Sequence, residues 1–276
     1  GVNFIDTADA YGDGYAESVV GEAIDGLPRD ELVIVTKVFN HFNPDGSRYP
    51  DLTPEHVIPR FDASLTRLGV ETIDLYLLHL YDHLTPLDDV AGALDKLRRE
   101  GKVRAIGVSN HSVDQLRAQR KVGPFSVIQP PYSLIDPEGE TDLLPYCQTE
   151  NVGVMVYSPL HKGLLTGKYR GDETFDDFRR SHGDFTGERF RELCSRVQSL
   201  QPIADRYSMS ICQLAIVATL MHPSIHVAVC GIKNAGQISE AIDAVGKTIS
   251  REDYFAVRKL VGPTHEKLPD AKGTRK

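Results

Sequence analysis

The chain opens with Gly1-Val-Asn-Phe-Ile-Asp-Thr-Ala-Asp-Ala-Tyr11, and the interpretation of the whole sequence starts from this stretch. Phe4 and Ile5 belong to a short apolar run that predicts a buried strand. The chain turns polar at Asp6, and Tyr11 follows five residues later in a loop. A carboxylate at the end of a strand and a phenol in the next loop can face one cavity. The stretch therefore predicts an acid and a proton donor side by side.

Composition limits the classes of protein that this chain can belong to. Its 276 residues are 41% hydrophobic and 25% charged, which is ordinary for a globular protein with one large α/β domain or two small ones. The net charge of -8 argues against nucleic acid or an anionic membrane as a partner. No apolar run reaches the ~18 residues of a membrane span. The sequence leaves the oligomeric state open.

Cysteine usage and the N-terminus point to a cytoplasmic protein. The four cysteines lie far apart and form no CxxC pair, so we expect reduced thiols rather than disulfides. No segment is typical of a signal peptide.

Strand and helix patterns alternate along the chain, which predicts a parallel sheet covered by helices. Seven strands are predicted near residues 3, 34, 76, 106, 127, 155 and 228. Helices are predicted over residues 17–24, 53–68, 87–100, 113–120, 143–150, 188–206, 211–221, 237–245 and 251–261.

Four segments depart from this regular alternation. Residues 38–52 and 161–188 are rich in polar residues and glycine, and we expect both to be loops. Pro59 should kink its helix or delay the start of that helix. Residues 263–276 form a polar C-terminal tail.

Two architectures fit such an alternation. A doubly wound sheet carries a glycine-rich turn after its first strand, but Gly12-Asp-Gly14 lacks the third glycine. A (β/α)8 TIM barrel places its chemistry at the carboxyl ends of many strands. The following polar residues end predicted strands: Asp6, Lys37, His79, Ser109, Asn110, Gln129, Tyr157 and Ser158. We therefore predict a single barrel domain over residues 1–262, with its first strand and helix expected ahead of Gly1.

Four of these strand-end and loop residues make a chemically coherent set, namely Asp6, Tyr11, Lys37 and His79. A free tyrosine has a pKa of about 10, and a neighbouring ammonium lowers that pKa by stabilising the phenolate. A buried lysine needs a counter-charge, which Asp6 supplies. A histidine beside the phenol can donate to a substrate oxygen. The set suits protonation of an alkoxide that forms on a carbonyl, provided that hydride comes from elsewhere.

Six motifs occur in a fixed order from Gly1 to Tyr169. They are Gly1-Val-Asn-Phe-Ile-Asp-Thr-Ala-Asp-Ala-Tyr-Gly12, Val35-Thr-Lys37, Ile73-Asp-Leu-Tyr-Leu-Leu-His79, Ile106-Gly-Val-Ser-Asn110, Val156-Tyr-Ser-Pro-Leu160 and Gly163-Leu-Leu-Thr-Gly-Lys-Tyr169. In this order they resemble the aldo/keto reductase family, and the likeness extends to about Val245. The resemblance implies a (β/α)8 barrel that reduces aldehydes and ketones with NADPH, or less often NADH. It also implies a catalytic tetrad of Asp6, Tyr11, Lys37 and His79.

The resemblance further implies which residues hold the cofactor. Ser109, Asn110 and Gln129 match residues that bind the nicotinamide carboxamide, and Tyr157 matches the aromatic side chain that stacks on the nicotinamide ring. The pyrophosphate loop is matched by Ser158, Pro159, Leu160, Gly163, Leu165 and Lys168. The adenosine end is matched by Gly231, Lys233, Gln237 and Glu240, with Arg179 or Arg180 as a further clamp. Lys233 would bind a 2′-phosphate, so NADP is expected over NAD. Ala241 stands where relatives often have Asn.

Taken singly, each candidate residue has an ordinary structural explanation, such as a turn former or a helix start. His41, Phe42, Tyr81 and His83 either line the substrate pocket or are surface loop residues. One alternative function is a regulatory protein like the potassium-channel β subunits, with slow turnover. Another is a metal-dependent hydrolase using His79 and Asp6, although no HxH pair or carboxylate cluster favours a metal site.

Overall fold

The computed structural model describes residues 2–263. The predicted polar tail lies, from residue 264 onwards, outside the described residues. Nine strands are found in the described part. They are β1 Phe4–Asp6, β2 Val33–Val38, β3 Asn40–Phe42, β4 Arg48–Pro50, β5 Ile73–Leu78, β6 Val103–Ser109, β7 Phe125–Gln129, β8 Gly153–Tyr157 and β9 Val227–Val229. Seven of the nine correspond to the seven predicted strands.

Ten α-helices alternate with these strands in the described part of the chain. They are α1 Tyr15–Ile24, α2 Pro54–Leu68, α3 Leu87–Arg99, α4 Val113–Val122, α5 Leu143–Thr149, α6 Gly187–Gln198, α7 Gln201–Arg206, α8 Ile211–Leu220, α9 Ala235–Ile242 and α10 Arg251–Val261. No helix within residues 2–263 is long and apolar enough to cross a membrane. All four cysteines are free thiols.

The main sheet has the strand order β1-β2-β5-β6-β7-β8-β9, which is the order of these strands along the chain. Each neighbouring pair from β1 to β8 is parallel. A doubly wound sheet reverses direction at a switch point, whereas a (β/α)8 barrel adds its strands in sequence. The observed order therefore favours the barrel architecture over the doubly wound one.

Helix α2 shows how local sequence sets an element. Thr53 occupies the N-cap, Pro54 the first turn, and Gly69 ends the helix in the left-handed region at φ 65°. The helix begins at Pro54 and continues through Pro59, so the predicted delay of its start does not occur. Pro59 and Glu55 are both exposed, and water can therefore satisfy the Glu55 carbonyl that lacks its helical partner.

The structure corrects two other predictions. Residues 38–52 are not a plain loop, because β3 and β4 pair as an antiparallel hairpin with Asn40 opposite Pro50. Its turn is closed by a hydrogen bond from the Asn43 amide to the Ser47 carbonyl. The single helix predicted over residues 188–206 is two helices, α6 and α7. Pro202, in the first turn of α7, lacks an amide hydrogen and cannot continue the preceding helix.

Residue contacts divide the chain into two compact units. The first unit comprises Gly1–Pro130 and Thr141–Met155, and its core includes the fully buried side chains of Phe61, Tyr76 and Leu94. The second unit comprises Pro131–Glu140 and the chain from Val156 onwards. Its core is a cluster that includes buried residues of α6, α8 and α10.

Candidate active site

The four predicted catalytic side chains lie together in the first unit. Asp6 ends β1, Lys37 is the penultimate residue of β2, and His79 follows β5. These three strands are consecutive in the sheet and parallel, so their carboxyl ends meet at one edge. Tyr11 is in the loop between β1 and α1, whose backbone is tied to β2 by hydrogen bonds from the Thr7 and Asp9 amides.

Lys37 carries a buried ammonium group that meets two acceptors from the start of the chain. Its Nζ donates to Asp6 Oδ1 at 2.6 Å and to the Thr7 carbonyl at 2.7 Å. The Lys37 side chain is 0% exposed and the Asp6 side chain 9%. Burial lowers the pKa of Lys37, and the Asp6 carboxylate opposes that shift. The ion pair thus keeps a cation where burial alone would disfavour it.

Tyr11 stands at the boundary between this buried pair and solvent. Its ring centroid is 5.3 Å from Lys37 Nζ and 5.8 Å from the His79 ring centroid, with the two rings nearly perpendicular at 79°. Tyr11 is 44% exposed. A substrate approaching from solvent can therefore reach the phenol while the ammonium behind it stays dry.

His79 is held as a neutral imidazole. Burial and the Lys37 charge lower its pKa to about 4, so at neutral pH one ring nitrogen carries hydrogen and the other does not. The backbone of His79 is fixed on both sides, since its amide donates to the Val38 carbonyl at 2.9 Å. Its carbonyl accepts from Asn110 Nδ2, also at 2.9 Å. The backbone of His79 is thus held at its amide and its carbonyl, and its neutral ring has one N–H to donate.

Three predicted nicotinamide-binding residues of the first unit join the same network. Gln129 Nε2 donates to Asp6 Oδ2 at 2.7 Å, and Ser109 Oγ donates to the Gln129 carbonyl at 2.8 Å. Asn110 adopts a left-handed backbone at φ 56°, which directs its amide to His79 and to Ser109 Oγ. No pattern in the sequence indicates these bonds. They show that the three residues also orient Asp6 and His79.

In the second unit, the predicted pyrophosphate loop follows β8 and has an unusual backbone. Ser158, His161, Lys162 and Gly163 all have positive φ values, and Leu160, between Ser158 and His161, has φ -94° and ψ 12°. The His161 and Gly163 amides donate within the loop, to the Ser158 carbonyl at 2.9 Å and to the Leu160 carbonyl at 3.0 Å. A side chain at Gly163 would come within 3.8 Å of Lys168 Nζ. Pro159, Leu160, Leu165 and Tyr157 are at least partly buried along this loop.

The predicted adenosine-binding residues lie elsewhere in the second unit. Arg179 pairs with Asp177 at 2.7 Å and donates to the Tyr169 hydroxyl. The hydrogen bond from Arg179 lowers the pKa of Asp177 to about 2. The exposed Lys233 adds to the positive field at Asp177 and has its amide bound to Gln237 Oε1 at 2.7 Å. The remaining two predicted residues are Gly231, which is exposed, and Glu240, which accepts from Ser210 Oγ.

One buried acid beside the tetrad was missed by sequence reasoning. Asp9 is 0% exposed and pairs with Arg60 at 2.9 Å, and burial raises its pKa to about 6. Its amide donates to the Lys37 carbonyl at 3.2 Å. In the sequence, an aspartate in a polar loop looks like an ordinary turn former. Only the ion pair with Arg60 of α2, which the fold brings close, shows that Asp9 is a buried charge.

Comparisons with known proteins identify the family of this chain. The model of the aldo/keto reductase family matches residues 1–261. Aldo-keto reductase YhdN of Bacillus subtilis is 36% identical, covering 96% of this chain and 81% of that protein. The NADH-specific methylglyoxal reductase of Escherichia coli is 34% identical, covering 94% and 83%. The structure of a glycerol dehydrogenase from Gluconobacter oxydans superposes with a TM-score of 0.90 at 35% identity, covering 95% and 81%.

Two further relatives bear on the cofactor and on the alternative function. An aldo/keto reductase from Klebsiella pneumoniae, solved with NADP and acetate, has a TM-score of 0.75 at 28% identity, covering 96% of this chain and 83% of that one. A probable voltage-gated potassium channel subunit beta of Arabidopsis thaliana is 32% identical, covering 89% and 78%.

The fold prediction is confirmed by these structures, and so is the prediction of an oxidoreductase acting on carbonyl or CH–OH groups. The family resemblance proposed from six short motifs extends through α10. Because the family model matches residues 1–261, this chain belongs to the aldo/keto reductase family.

Proposed function

We propose that this chain is an NADPH-dependent carbonyl reductase, able to run in reverse as an alcohol dehydrogenase, with Tyr11 as its general acid and base. The observation that carries the proposal is the convergence of Tyr11 with a buried Lys37–Asp6 ion pair and a neutral His79. Such a set can give a proton to an oxygen on which negative charge develops. A positioned acid of this kind contributes about 10²- to 10⁴-fold to the rate.

Each member of the tetrad has a separate task in this proposal. Tyr11 donates its hydroxyl proton to the carbonyl oxygen of the substrate as that oxygen becomes an alkoxide. The Lys37 ammonium stabilises the phenolate that remains, and Asp6 keeps that ammonium charged and in place. His79 donates an N–H to the same substrate oxygen and orients it. In the direction of alcohol oxidation, the Tyr11 phenolate takes the proton back.

The residues around the tetrad suit a nicotinamide cofactor, which supplies hydride when bound. A carboxamide needs both donors and acceptors, and Ser109, Asn110 and Gln129 offer a hydroxyl and two amides at the ends of β6 and β7. In the second unit, the ammonium of Lys168, which lies beside Gly163, suits a pyrophosphate. We propose the aromatic ring of Tyr157 as the surface that stacks on the nicotinamide.

The decisive experiment replaces the phenol and keeps everything else. We expect Tyr11→Phe to bind NADPH as the wild type does, measured by fluorescence titration. We expect its kcat for NADPH oxidation with a panel of aldehydes to fall by about 10²-fold or more, because only the proton donor is lost. Tyr15→Phe is the matched control, since Tyr15 is a neighbouring exposed tyrosine outside the network. Retained turnover in Tyr11→Phe would contradict the proposed role.

Preference for NADPH is proposed to rest on Lys233. Arg179 is already engaged by Asp177 and the Tyr169 hydroxyl. The Lys233 side chain is exposed and its charge acts on the same Asp177 carboxylate, so its ammonium can meet a 2′-phosphate from solvent. We expect Lys233→Met to weaken NADPH binding by about 10-fold or more and to leave NADH binding unchanged, because only NADPH carries that phosphate. Lys259→Met, which removes an exposed cation from α10, is the control. Equal loss of both cofactors would count against the assignment.

A second candidate function is favoured by the similarity to the potassium channel subunit beta. A chain with that role would bind NADPH through the same residues and turn over slowly. The steady-state assay of the wild type separates the two, since a reductase reaches kcat values of order 1 s⁻¹ or higher with its better substrates.

A further inference from the structure

Three side chains with metal-ligating atoms meet at the β3–β4 hairpin, and none of them belongs to the tetrad. They are His41 on β3, Asp51 just after β4, and His56 in the first turns of α2. One ligand atom from each lies within 4.8 Å of the others. Asp51 Oδ2 is 3.5 Å from His41 Nδ1 and 3.9 Å from His56 Nδ1. Their spacing along the chain matches no metal motif, and only the hairpin brings them together.

The two oxygens of Asp51 have different surroundings. Oδ1 accepts hydrogen bonds from the Thr53 amide at 3.0 Å and the Thr53 hydroxyl at 2.7 Å. This fixes the carboxylate at the start of α2 and leaves Oδ2 as the oxygen that faces both histidines. An anionic oxygen held in place by its neighbour is what a cation site needs.

Each histidine presents Nδ1 to this oxygen. His56 Nε2 lies 3.1 Å from the Asn40 carbonyl, which can only accept, so Nε2 carries the hydrogen and Nδ1 has the lone pair. Histidine ligands of metals are oriented by this kind of bond to a backbone carbonyl. The His56 side chain is 9% exposed.

His41 supplies the third observation. Its Nδ1 atom is buried and makes no hydrogen bond among the described residues, although Asp51 Oδ2 lies 3.5 Å away and the side chain as a whole is 40% exposed. Its ring is stacked on Tyr49 with centroids 4.7 Å apart and planes 12° apart, which fixes the ring orientation. A buried polar atom without a hydrogen bond is costly, and a cation shared with Asp51 Oδ2 would satisfy it.

We propose that His41 Nδ1, His56 Nδ1 and Asp51 Oδ2 form a binding site for a divalent transition-metal cation of the Zn²⁺ type, with water completing the coordination. Zinc–ligand bonds of about 2.0–2.2 Å separate neighbouring tetrahedral ligands by roughly 3.4 Å, close to the two separations seen here. Two nitrogens and one oxygen suit Zn²⁺, Co²⁺ or Ni²⁺ rather than Mg²⁺ or Ca²⁺. The cation would join the hairpin to α2.

The site does not depend on the proposed reductase chemistry. None of its three ligands is part of the tetrad or of the predicted cofactor site. The hairpin nevertheless begins three residues after Lys37, so a cation there would order the segment that follows a tetrad residue.

The test uses the full 276-residue chain without a polyhistidine tag, stripped of metal with a chelator and then dialysed. We expect titration with Co²⁺ to give visible d–d absorption bands that saturate at one equivalent per chain. Zn²⁺ should displace Co²⁺ and abolish the bands. Calorimetric titration with Zn²⁺ should give the same stoichiometry.

Three variants locate the site. We expect His41→Ala and Asp51→Asn each to weaken Zn²⁺ binding by more than about 100-fold, because loss of even an outer partner of a metal ligand costs 10- to 100-fold. His83→Ala is the matched control, since His83 is an exposed loop histidine packed on Tyr81. Circular dichroism establishes that each variant is folded.

Two results would overturn the proposal. One is a wild type that takes up no Co²⁺ or Zn²⁺, which would leave a histidine–carboxylate hydrogen-bond cluster only. The other is uptake that survives both ligand substitutions or is lost equally in His83→Ala. The titration of the wild type shows whether the chain binds Co²⁺ or Zn²⁺ even where a variant fails to fold.

Discussion

Lys37 and Asp9 are two buried ionisable residues of the first unit that differ in how many polar partners they have. The Lys37 ammonium meets a carboxylate and a carbonyl, so its charge is compensated on two sides. Asp9 meets only Arg60 through Oδ2, while its Oδ1 is buried with no hydrogen-bond partner among the described residues. The imbalance explains why burial dominates at Asp9 and raises its pKa to about 6.

The raised pKa of Asp9 predicts how stability changes with pH. The folded state holds this proton up to about pH 6, whereas an unfolded aspartate releases it near pH 4. The stability that the bound proton contributes is therefore present below about pH 4 and is lost as the pH rises to 6. We expect the free energy of unfolding of the wild type, minus that of Asp9→Asn, to fall by about 2–3 kcal/mol across this window.

Urea unfolding followed by circular dichroism between pH 4 and 8 measures this difference, and the chain contains no tryptophan to serve as an alternative probe. Asp13→Asn is the control, because Asp13 is in the same loop but its side chain is 66% exposed. A wild-type and Asp9→Asn pair whose difference is constant with pH would show that Asp9 is not protonated in the fold.

At the scale of elements, the close approach of α1 to α2 depends on one glycine. A Cβ at Gly21 would lie 2.4 Å from the Arg67 carbonyl oxygen, a distance that no side chain can occupy without backbone movement. Beside this contact, Arg67 also reaches Glu17 of α1, whose side chain is 0% exposed, at 2.6 Å. The absence of a side chain at Gly21 therefore lets an ion pair form between the two helices.

We expect Gly21→Ala to lower the free energy of unfolding by about 1–3 kcal/mol, as overpacking of a tight contact does. Gly92→Ala in α3 is the matched control, because a Cβ there meets nothing within 4 Å. It should raise stability by about 0.5–1 kcal/mol through helix propensity. Thermal or urea unfolding of both variants checks the pair, and destabilisation by both would show that the contact is not the cause.

At the scale of the whole molecule, the features that the sequence predicted depend on local pattern. The strands β6 and β7 were predicted near residues 106 and 127, where they are observed, because short segments rich in apolar and β-branched residues between turn residues are typical of strands. The meeting of Asp6, Lys37 and His79 was predicted because carboxyl ends of neighbouring parallel strands share one edge.

The features that escaped prediction depend on contacts between residues far apart in the chain. The β3–β4 hairpin has three-residue strands without apolar alternation, so its sequence looks like a loop. Arg60 reaches Asp9 across 51 positions and Asn110 reaches His79 across 31. Side-chain bonds of this kind leave no periodic trace, and only the fold reveals them.

The bond from Gln129 to Asp6 joins residues 123 positions apart and gives the carboxylate a second fixed partner. Each oxygen of Asp6 thus has one assigned donor, an ammonium for Oδ1 and an amide for Oδ2. A homologue without the amide at position 129 would leave Asp6 Oδ2 without this donor. A homologue without the acid at position 6 would leave both the Lys37 ammonium and the Gln129 amide without their carboxylate acceptor. We therefore expect the residue types at positions 6, 37 and 129 to covary among homologues, so that a substitution at one position is accompanied by a matching substitution at another.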